Sequence, residues 1–167
     1  MEARTGRFVV MGVSGVGKTR VASSLAGRIG ARFVEGDDLH PEENRAKMAG
    51  GTPLTDEDRW PWLDRVGRVI AEGGPPVVAA CSALRRRYRD RLRAQVPGLV
   101  FLHLEGEPHL VAERLRARKG HFMPPALLAS QYEALEPLDP DERGLGVSVE
   151  GPVEEVLARL LAAIGRL

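Results

Sequence analysis

Eight consecutive residues, Gly12-Val13-Ser14-Gly15-Val16-Gly17-Lys18-Thr19, carry the most explicit chemistry in this chain. They fit G-x-x-x-x-G-K-[ST], a loop that binds phosphate. Gly12, Gly15 and Gly17 let the backbone curl so that successive N–H groups, those of Ser14 and Val16 among them, can face one anion. Lys18 adds a mobile positive charge, and the Thr19 hydroxyl is placed to ligate Mg²⁺. Such a loop serves the binding of a nucleoside triphosphate and the transfer of its terminal phosphoryl group.

The elements needed to present the loop are legible around it. Residues 7–13 (RFVVMGV) form a short apolar run rich in β-branched side chains, which predicts a buried strand. Val21, Ala22, Leu25 and Ile29 then fall at helical spacing over 18–29. The helix start aims unpaired N–H groups and the positive end of its dipole at the anion. A glycine-rich turn that only imitates the motif would not require this strand and helix on its two sides.

Residues 32–35 (RFVE) read as a second strand ending at Gly36-Asp37-Asp38-Leu39-His40-Pro41. In a doubly wound sheet, ligands lie at the carboxyl ends of strands, so Asp37 and His40 would emerge beside the phosphate loop. Phosphoryl transfer to an alcohol needs a carboxylate that orients the hydroxyl and accepts its proton, and Asp37 suits that role. Asp38 or His40 is alternatively a cap for the helix that Pro41 opens. That helix, 41–48, breaks at Gly50-Gly51-Thr52-Pro53. Asp56-Glu57-Asp58 then cap and charge a longer helix through Trp62, Leu63, Val66, Val69 and Ile70. The tryptophans and Pro61 read as packing and helix-start residues. Arg59 stands in the first turn, where the dipole disfavours a cation; it points either to an anionic ligand or to a surface pair with an aspartate.

Residues 77–81 (VVAAC) are apolar throughout, as a central parallel strand requires. This strand has no aspartate, so Mg²⁺ would rest on Thr19, phosphate oxygens and water, with Asp37 nearby. Cys81 reads as a small buried hydrophobe. After Ser82-Ala83-Leu84 comes a basic run, 85–91 (RRRYRDR), expected on a solvated helix face with its first one or two arginines within reach of an acidic substrate. Residues 99–104 (LVFLHL) predict a fourth strand, with His103 a satisfied core or edge residue. Over 110–118 an amphipathic helix places Arg114 and Arg118 on one face, and it runs into the broken, basic loop 119–125 (KGHFMPP). Residues 114–126 thus suit a lid that closes over ATP and brings arginine charge to the transferring phosphoryl group; an ordinary connection beside a solvated helix is the competing reading. A helix at 126–136, a strand at 147–149 and a helix at 152–167 follow. The alternation predicts an α/β fold, a parallel sheet between two helical layers.

At 167 residues the chain suits one domain, 1–167, and its 43% hydrophobic content is enough for a full core. Twenty-four basic side chains, nearly all arginine, are offset by 23 acidic ones; a net charge of +1 argues against general binding to nucleic acid or membrane. One cysteine excludes an internal disulfide and a multi-cysteine zinc site, and fits a reducing, cytoplasmic setting.

Taken together, MGVSGVGKT, FVEGDDLHPEENRAKMAGGTPLTDEDRWPWL, CSALRRRYRDRLR and RLRARKGHFMPPALLASQYEALE, in order over residues 11–136, resemble gluconokinases of the small bacterial type. These belong to the shikimate-kinase-like and nucleoside-monophosphate-kinase-like P-loop kinases. The phosphate loop alone is unspecific; GD-x-LHP-x-x-N-x-x-KM with D-x-DR-x-PWL, CSAL and HFMP is highly specific. The resemblance implies a three-layer αβα P-loop kinase fold, a five-stranded parallel sheet, a mobile lid and a homodimer. It implies ATP-dependent, Mg²⁺-dependent phosphorylation of D-gluconate at its 6-hydroxyl, feeding the pentose phosphate or Entner-Doudoroff routes. By the same resemblance Lys18 and Thr19 hold phosphates and Mg²⁺, Asp37 orients or deprotonates the hydroxyl, and His40 binds the sugar acid. Arg114 and Arg118 fill the lid's R-x-x-x-R pattern, one near adenine and one, Arg118, at the phosphates. His121 belongs to the lid match without a role. Arg59 is the first choice for the gluconate carboxylate, then Lys47 and Arg85; Arg85 stands where the family often has lysine, replacing a point charge with a planar fork. A kinase of another small acid or of a nucleoside monophosphate would differ over 37–59, and a non-catalytic nucleotide-binding regulator would have lost Lys18 or Asp37. A nucleic-acid module on residues 85–93 would need interleaved exposed aromatics beyond Tyr88.

Overall fold

The computed structural model describes residues 3–118 and 125–167. Strand β1 (Arg7–Met11) leads through the glycine loop into α1 (Lys18–Ile29). β2 (Arg32–Glu35) is followed by a 3-10 turn (Gly36–Leu39) and by helices α2 (Glu42–Ala49) and α3 (Asp56–Ala71). β3 (Val77–Ala80) precedes α4 (Arg86–Gln95), and β4 (Val100–Glu105) precedes α5 (Pro108–Ala117). Helix α6 (Pro125–Ala134), β5 (Gly144–Ser148) and α7 (Val153–Ile164) follow.

The five strands form one parallel sheet in the order β2-β3-β1-β4-β5. β1 takes the centre because both its faces are apolar. Phe8 and Val10 join the core shared with α1 and α7, while Val9 and Met11 join the core under α3 and α4. The strand order reverses direction at β1, with β3 on one side and β4 on the other, so a crevice opens where the glycine loop leaves the sheet.

Several local expectations are corrected. β1 ends at Met11 rather than at residue 13, because Gly12, at φ 148°, turns the chain out of the sheet. A Cβ there would meet Leu104 O and Val16 Cγ2 at 3.0 Å each. β5 spans Gly144–Ser148 rather than 147–149. Gly144 pairs beside Phe101, where a Cβ would clash with the Phe101 carbonyl oxygen; the missing side chain permits the close approach and hides the strand from an apolar pattern.

Asp38 and His40 do not cap α2, whose N-terminal residue in the cap position is Pro41. α3 starts behind Thr55, not behind an aspartate: the Asp58 N–H donates to Thr55 Oγ1 at 3.2 Å and the Thr55 N–H donates to Asp58 Oδ2 at 2.9 Å, a closed capping box. Pro61 therefore lies in the second turn, where its missing N–H frees the carbonyl of Glu57, an exposed residue that water can serve.

The basic run is not simply a solvated face. Arg86, Arg87 and Arg91 do sit at the surface, each on a carboxylate, but Arg89 is 0% exposed and bonded to Glu142.

Candidate active site

The loop that follows β1 has the backbone its motif demands, with Gly12, Gly15 and Gly17 all at positive φ. Val13 and Val16 are buried beneath it, so their side chains anchor the loop and leave its backbone to the ligand. Lys18 folds back and donates from Nζ to Val13 O at 3.1 Å. Burial pulls its pKa down, opposed by the charges of Asp37 and Glu35 and assisted by that of Arg118. Lys18, Glu35, Asp37 and Arg118 thus share one electrostatic environment, although they come from three places in the sequence.

Thr19 Oγ1 donates to Glu35 Oε2 at 2.5 Å, and Glu35 Oε1 accepts from the Asp37 N–H at 3.3 Å. β2 therefore ends in two carboxylates, one on the Thr19 hydroxyl and one, Asp37, exposed and without a hydrogen bond to its carboxylate among the described residues. Thr19 and Glu35 present hard oxygen ligands of the kind Mg²⁺ takes, beside a loop built for phosphate. β3 has no aspartate, and the carboxylate beside the Thr19 hydroxyl is that of Glu35 at the end of β2. The neighbouring Cys81 is buried, and burial, with the charge of Asp37, pushes its thiol up to about 12, so it is inert.

On the flank of β2 and β3, His40 is buried and stacked on Trp62, and burial depresses its pKa. Arg59 makes the surface pair with an aspartate that was one of the two readings the sequence left open. It lies 3.6 Å from Asp56 Oδ1, donates to Leu54 O at 2.8 Å and packs over the Tyr88 ring, yet its charge still reaches His40. Lys47 is engaged by Asp58 at 2.7 Å, a bond that, with the Thr55 amide, holds the Asp58 carboxyl at about 2. Arg85, half-buried at the start of α4, has no side-chain partner among the described residues. Of the three cations considered for a substrate carboxylate, Lys47 is the more tightly engaged by an aspartate, at 2.7 Å against 3.6 Å for Arg59, and Arg85 is the one without such a pair among the described residues.

Arg85 follows a rigid turn. Ala83 adopts φ 44°, outside the usual range for alanine, and its carbonyl accepts from Arg89 Nη1 at 2.9 Å. Leu84 O accepts from the Glu136 N–H at 2.7 Å, and Gly12 N–H donates to Ser82 O at 3.2 Å, so the turn is fastened to the phosphate loop as well.

On the flank of β4 and β5, Arg114 donates to Val149 O at 2.7 Å and to Gly151 O at 3.3 Å, tying α5 to the loop after β5. Arg118 ends α5, exposed. Residues 119–124, with His121 and the middle of the expected lid, lie outside the described residues. Beyond them, α6 returns over the glycine loop: the Ser14 N–H donates to Gln131 Oε1 at 2.6 Å, and Tyr132 Oη donates to Gly106 O at 2.8 Å. A cleft of about 480 Å³ beside α6 is lined by His103, Glu105 and Tyr132, and meets the phosphate loop only at Val13; cavity size does not mark the reacting centre here. His103 is buried, with burial lowering its pKa.

Glu35, Asn44, Trp62 and Gln131 were not read as site residues from the sequence. For Glu35 a signal existed, a carboxylate two positions before Asp37 at a strand end. Asn44 lay inside the specific GD-x-LHP-x-x-N pattern. Gln131 carried no signal, since its partner is 117 residues away.

Comparison with known proteins agrees with this geometry. The AAA domain family model matches residues 8–138. Gluconokinase from Gluconobacter oxydans (strain 621H) is 47% identical over 157 residues, covering 92% of this chain and 88% of that protein. The chain belongs to the gluconokinase family. The crystal structure of a gluconokinase from Sinorhizobium meliloti 1021 superposes with a TM-score of 0.91 at 48% identity, covering 97% of this chain and 93% of that one. A shikimate kinase from Bacteroides thetaiotaomicron shares the fold alone, with a TM-score of 0.65 at 15% identity, 96% of this chain and 98% of that one being covered. The three-layer P-loop kinase architecture expected from the sequence is thus the one observed. Among the described residues, no helix is long and apolar enough to cross a membrane.

Proposed function

We infer that this protein transfers the terminal phosphoryl group of ATP to the 6-hydroxyl of D-gluconate, giving 6-phosphogluconate and ADP. The observation that carries the reading beyond family membership is Asp37, whose carboxylate is open and within electrostatic reach of Lys18 beside a phosphate loop. In this scheme the backbone of residues 12–19 cradles the phosphates, with Lys18 as their mobile cation. Asp37 orients the 6-hydroxyl and takes its proton as the oxygen attacks the γ-phosphorus; the bond to the β–γ bridging oxygen breaks and ADP leaves. Lys18 and Arg118 offset the charge that develops on the transferring group. Arg114 holds the nucleotide side of α5, and the lid over 114–126 excludes water.

Thr19 and Glu35 would hold Mg²⁺, which supplies charge neutralisation on the phosphate oxygens when bound. Arg59 serves the gluconate carboxylate, with Arg85 as a second cation; Lys47 is the weakest choice because Asp58 already engages it. His40 binds the polyol. A homodimer and a cytoplasmic location belong to the same proposal; the first rests on family resemblance and is checked by light scattering, and the second on the lone buried thiol and the charge balance.

The test is a coupled assay of ATP consumption against gluconate, other aldonic acids, shikimate and nucleoside monophosphates, with and without Mg²⁺. Mg²⁺-dependent turnover with gluconate is expected. Turnover with another acceptor alone would move the error to residues 37–59, and no turnover with any would overturn the assignment.

A further inference from the structure

His40 is held in two directions at once. Its ring stacks on Trp62 with centroids 4.0 Å apart and planes 15° off parallel, and Trp62 is fixed in turn by its indole N–H donating to Gly36 O at 2.8 Å. On the ring itself, Nδ1 lies 3.2 Å from Nδ2 of Asn44, a residue 3% exposed in the first turn of α2. The same Nδ2 donates to Asp58 O at 2.9 Å.

That second contact settles the chemistry of the first. A backbone carbonyl only accepts, so the end of the Asn44 amide that faces it is the NH₂. An NH₂ aimed at Nδ1 needs a lone pair there, and a neutral imidazole with a lone pair on Nδ1 carries its proton on Nε2. Nε2 has no protein partner among the described residues, and it is not sealed from solvent. The charges that face the ring are Asp37 from the 3-10 turn, Arg45 from α2 and Arg59 from α3; burial outweighs Asp37, and the ring stays neutral. One face of the ring is taken by Trp62, which leaves its edge to meet a ligand.

We propose that Asn44 is a positioning residue that fixes His40 as the Nε2–H tautomer, and that this N–H donates to a hydroxyl oxygen of the acceptor's polyol chain. A neutral donor suits a hydroxyl, whereas Arg59 and Arg85 are the groups for a carboxylate. The division makes His40 the reader of the acceptor's hydroxyl pattern. The inference rests on the function proposed above, but its first half concerns the free protein alone.

The experiment is a long-range ¹H–¹⁵N correlation spectrum of the full chain labelled at histidine, its four histidines being sorted with His40→Gln. Wild type should show a pyridine-like Nδ1 and a pyrrole-like, protonated Nε2 for His40, with Nε2 shifting when gluconate is added. Asn44→Asp offers Nδ1 an acceptor instead and should invert the tautomer, raising KM for gluconate by about tenfold to a hundredfold while KM for ATP stays unchanged. His40→Gln keeps an amide donor near the position of Nε2 and should bind gluconate better than His40→Ala, which has none. A protonated Nδ1 in wild type would overturn the assignment of Asn44. An inverted tautomer in Asn44→Asp with KM for gluconate within about twofold of wild type would overturn the hydroxyl contact. Should Asn44→Asp fail to fold, the wild-type spectrum and the two His40 variants decide both halves. Wild type that turns over no gluconate would sink the proposed function separately, and the spectrum of the free protein would still decide the role of Asn44.

Discussion

Replacing Glu142 with glutamine should cost this protein a large part of its stability. The Glu142 carboxylate accepts from Arg89 Nε at 2.7 Å, Arg89 Nη2 at 3.0 Å, Arg93 Nη2 at 2.6 Å and the Asp139 N–H at 2.7 Å. The side chains of Arg89 and Glu142 are both 0% exposed. Glutamine would remove the negative charge from two guanidinium groups and turn one acceptor into a donor facing donors. Breaking a buried pair from one side costs about 3–5 kcal/mol. Burial works against the charge on Glu142, but the bonds from Arg89, the Asp139 amide and Arg93 outweigh it and hold the carboxyl at about 2, against an ordinary 4.5. That difference is worth about 3 kcal/mol, in agreement with the first figure. For a chain of this size the melting temperature should fall by about 6–20 °C.

A carboxyl depressed in the folded state stabilises fully above its unfolded pKa near 4.5 and loses that contribution as pH falls towards 2. Urea unfolding of wild type and Glu142→Gln should therefore differ most at pH 7, with the gap narrowing as pH drops through that range. A difference below about 1 kcal/mol at pH 7, or one indifferent to acid, would refute the reasoning. The double replacement Arg89→Met with Glu142→Leu removes the fully buried pair and leaves Arg93 on Asp90, and it should recover part of the loss.

Three further outcomes are expected at the candidate site. Asp37→Asn should lower kcat by about 10²–10⁴-fold and leave ATP affinity unchanged by equilibrium binding; unaltered turnover would remove Asp37 from the mechanism. Arg59→Ala should raise KM for gluconate by about tenfold or more in the coupled assay, while a normal KM would transfer the carboxylate to Arg85. Glu35→Gln should raise the Mg²⁺ concentration for half-maximal rate by about tenfold, and an unchanged Mg²⁺ titration would leave Glu35 as a partner of Thr19 alone.

What could be read from the sequence was local. The phosphate loop, its strand and its helix are contiguous, and the loop's glycine spacing is a direct record of backbone conformation, so this unit is legible without a partner. Asp37 was legible because strand ends in such sheets face ligands. β5 was legible only in part: the strand expected at 147–149 overlaps it at Val147 and Ser148, but its first half, with two glycines, carries no apolar signal and takes its identity from pairing with β4. Arg89 looked like its solvated neighbours, because what buries it is Glu142, 53 residues on in a loop. Arg59 showed the limit most clearly: position at a helix start marked it as unusual, but only Asp56, Tyr88 and Leu54 placed around it show that a surface pair and a charge facing His40 coexist.

The strand order β2-β3-β1-β4-β5 has an implication for how such an enzyme changes over time. β2 and β3 lie on one side of the central strand and β4 and β5 on the other, while α4 crosses between the two sides, its Leu92 and Val96 sharing a core with Phe101 of β4. The residues proposed for the acceptor, 37–59 with Arg85, thus follow β2 and β3, while the phosphate loop is anchored at the central strand. Substitutions in that stretch need not disturb the anchor, and the fold alone is shared with a shikimate kinase at 15% identity.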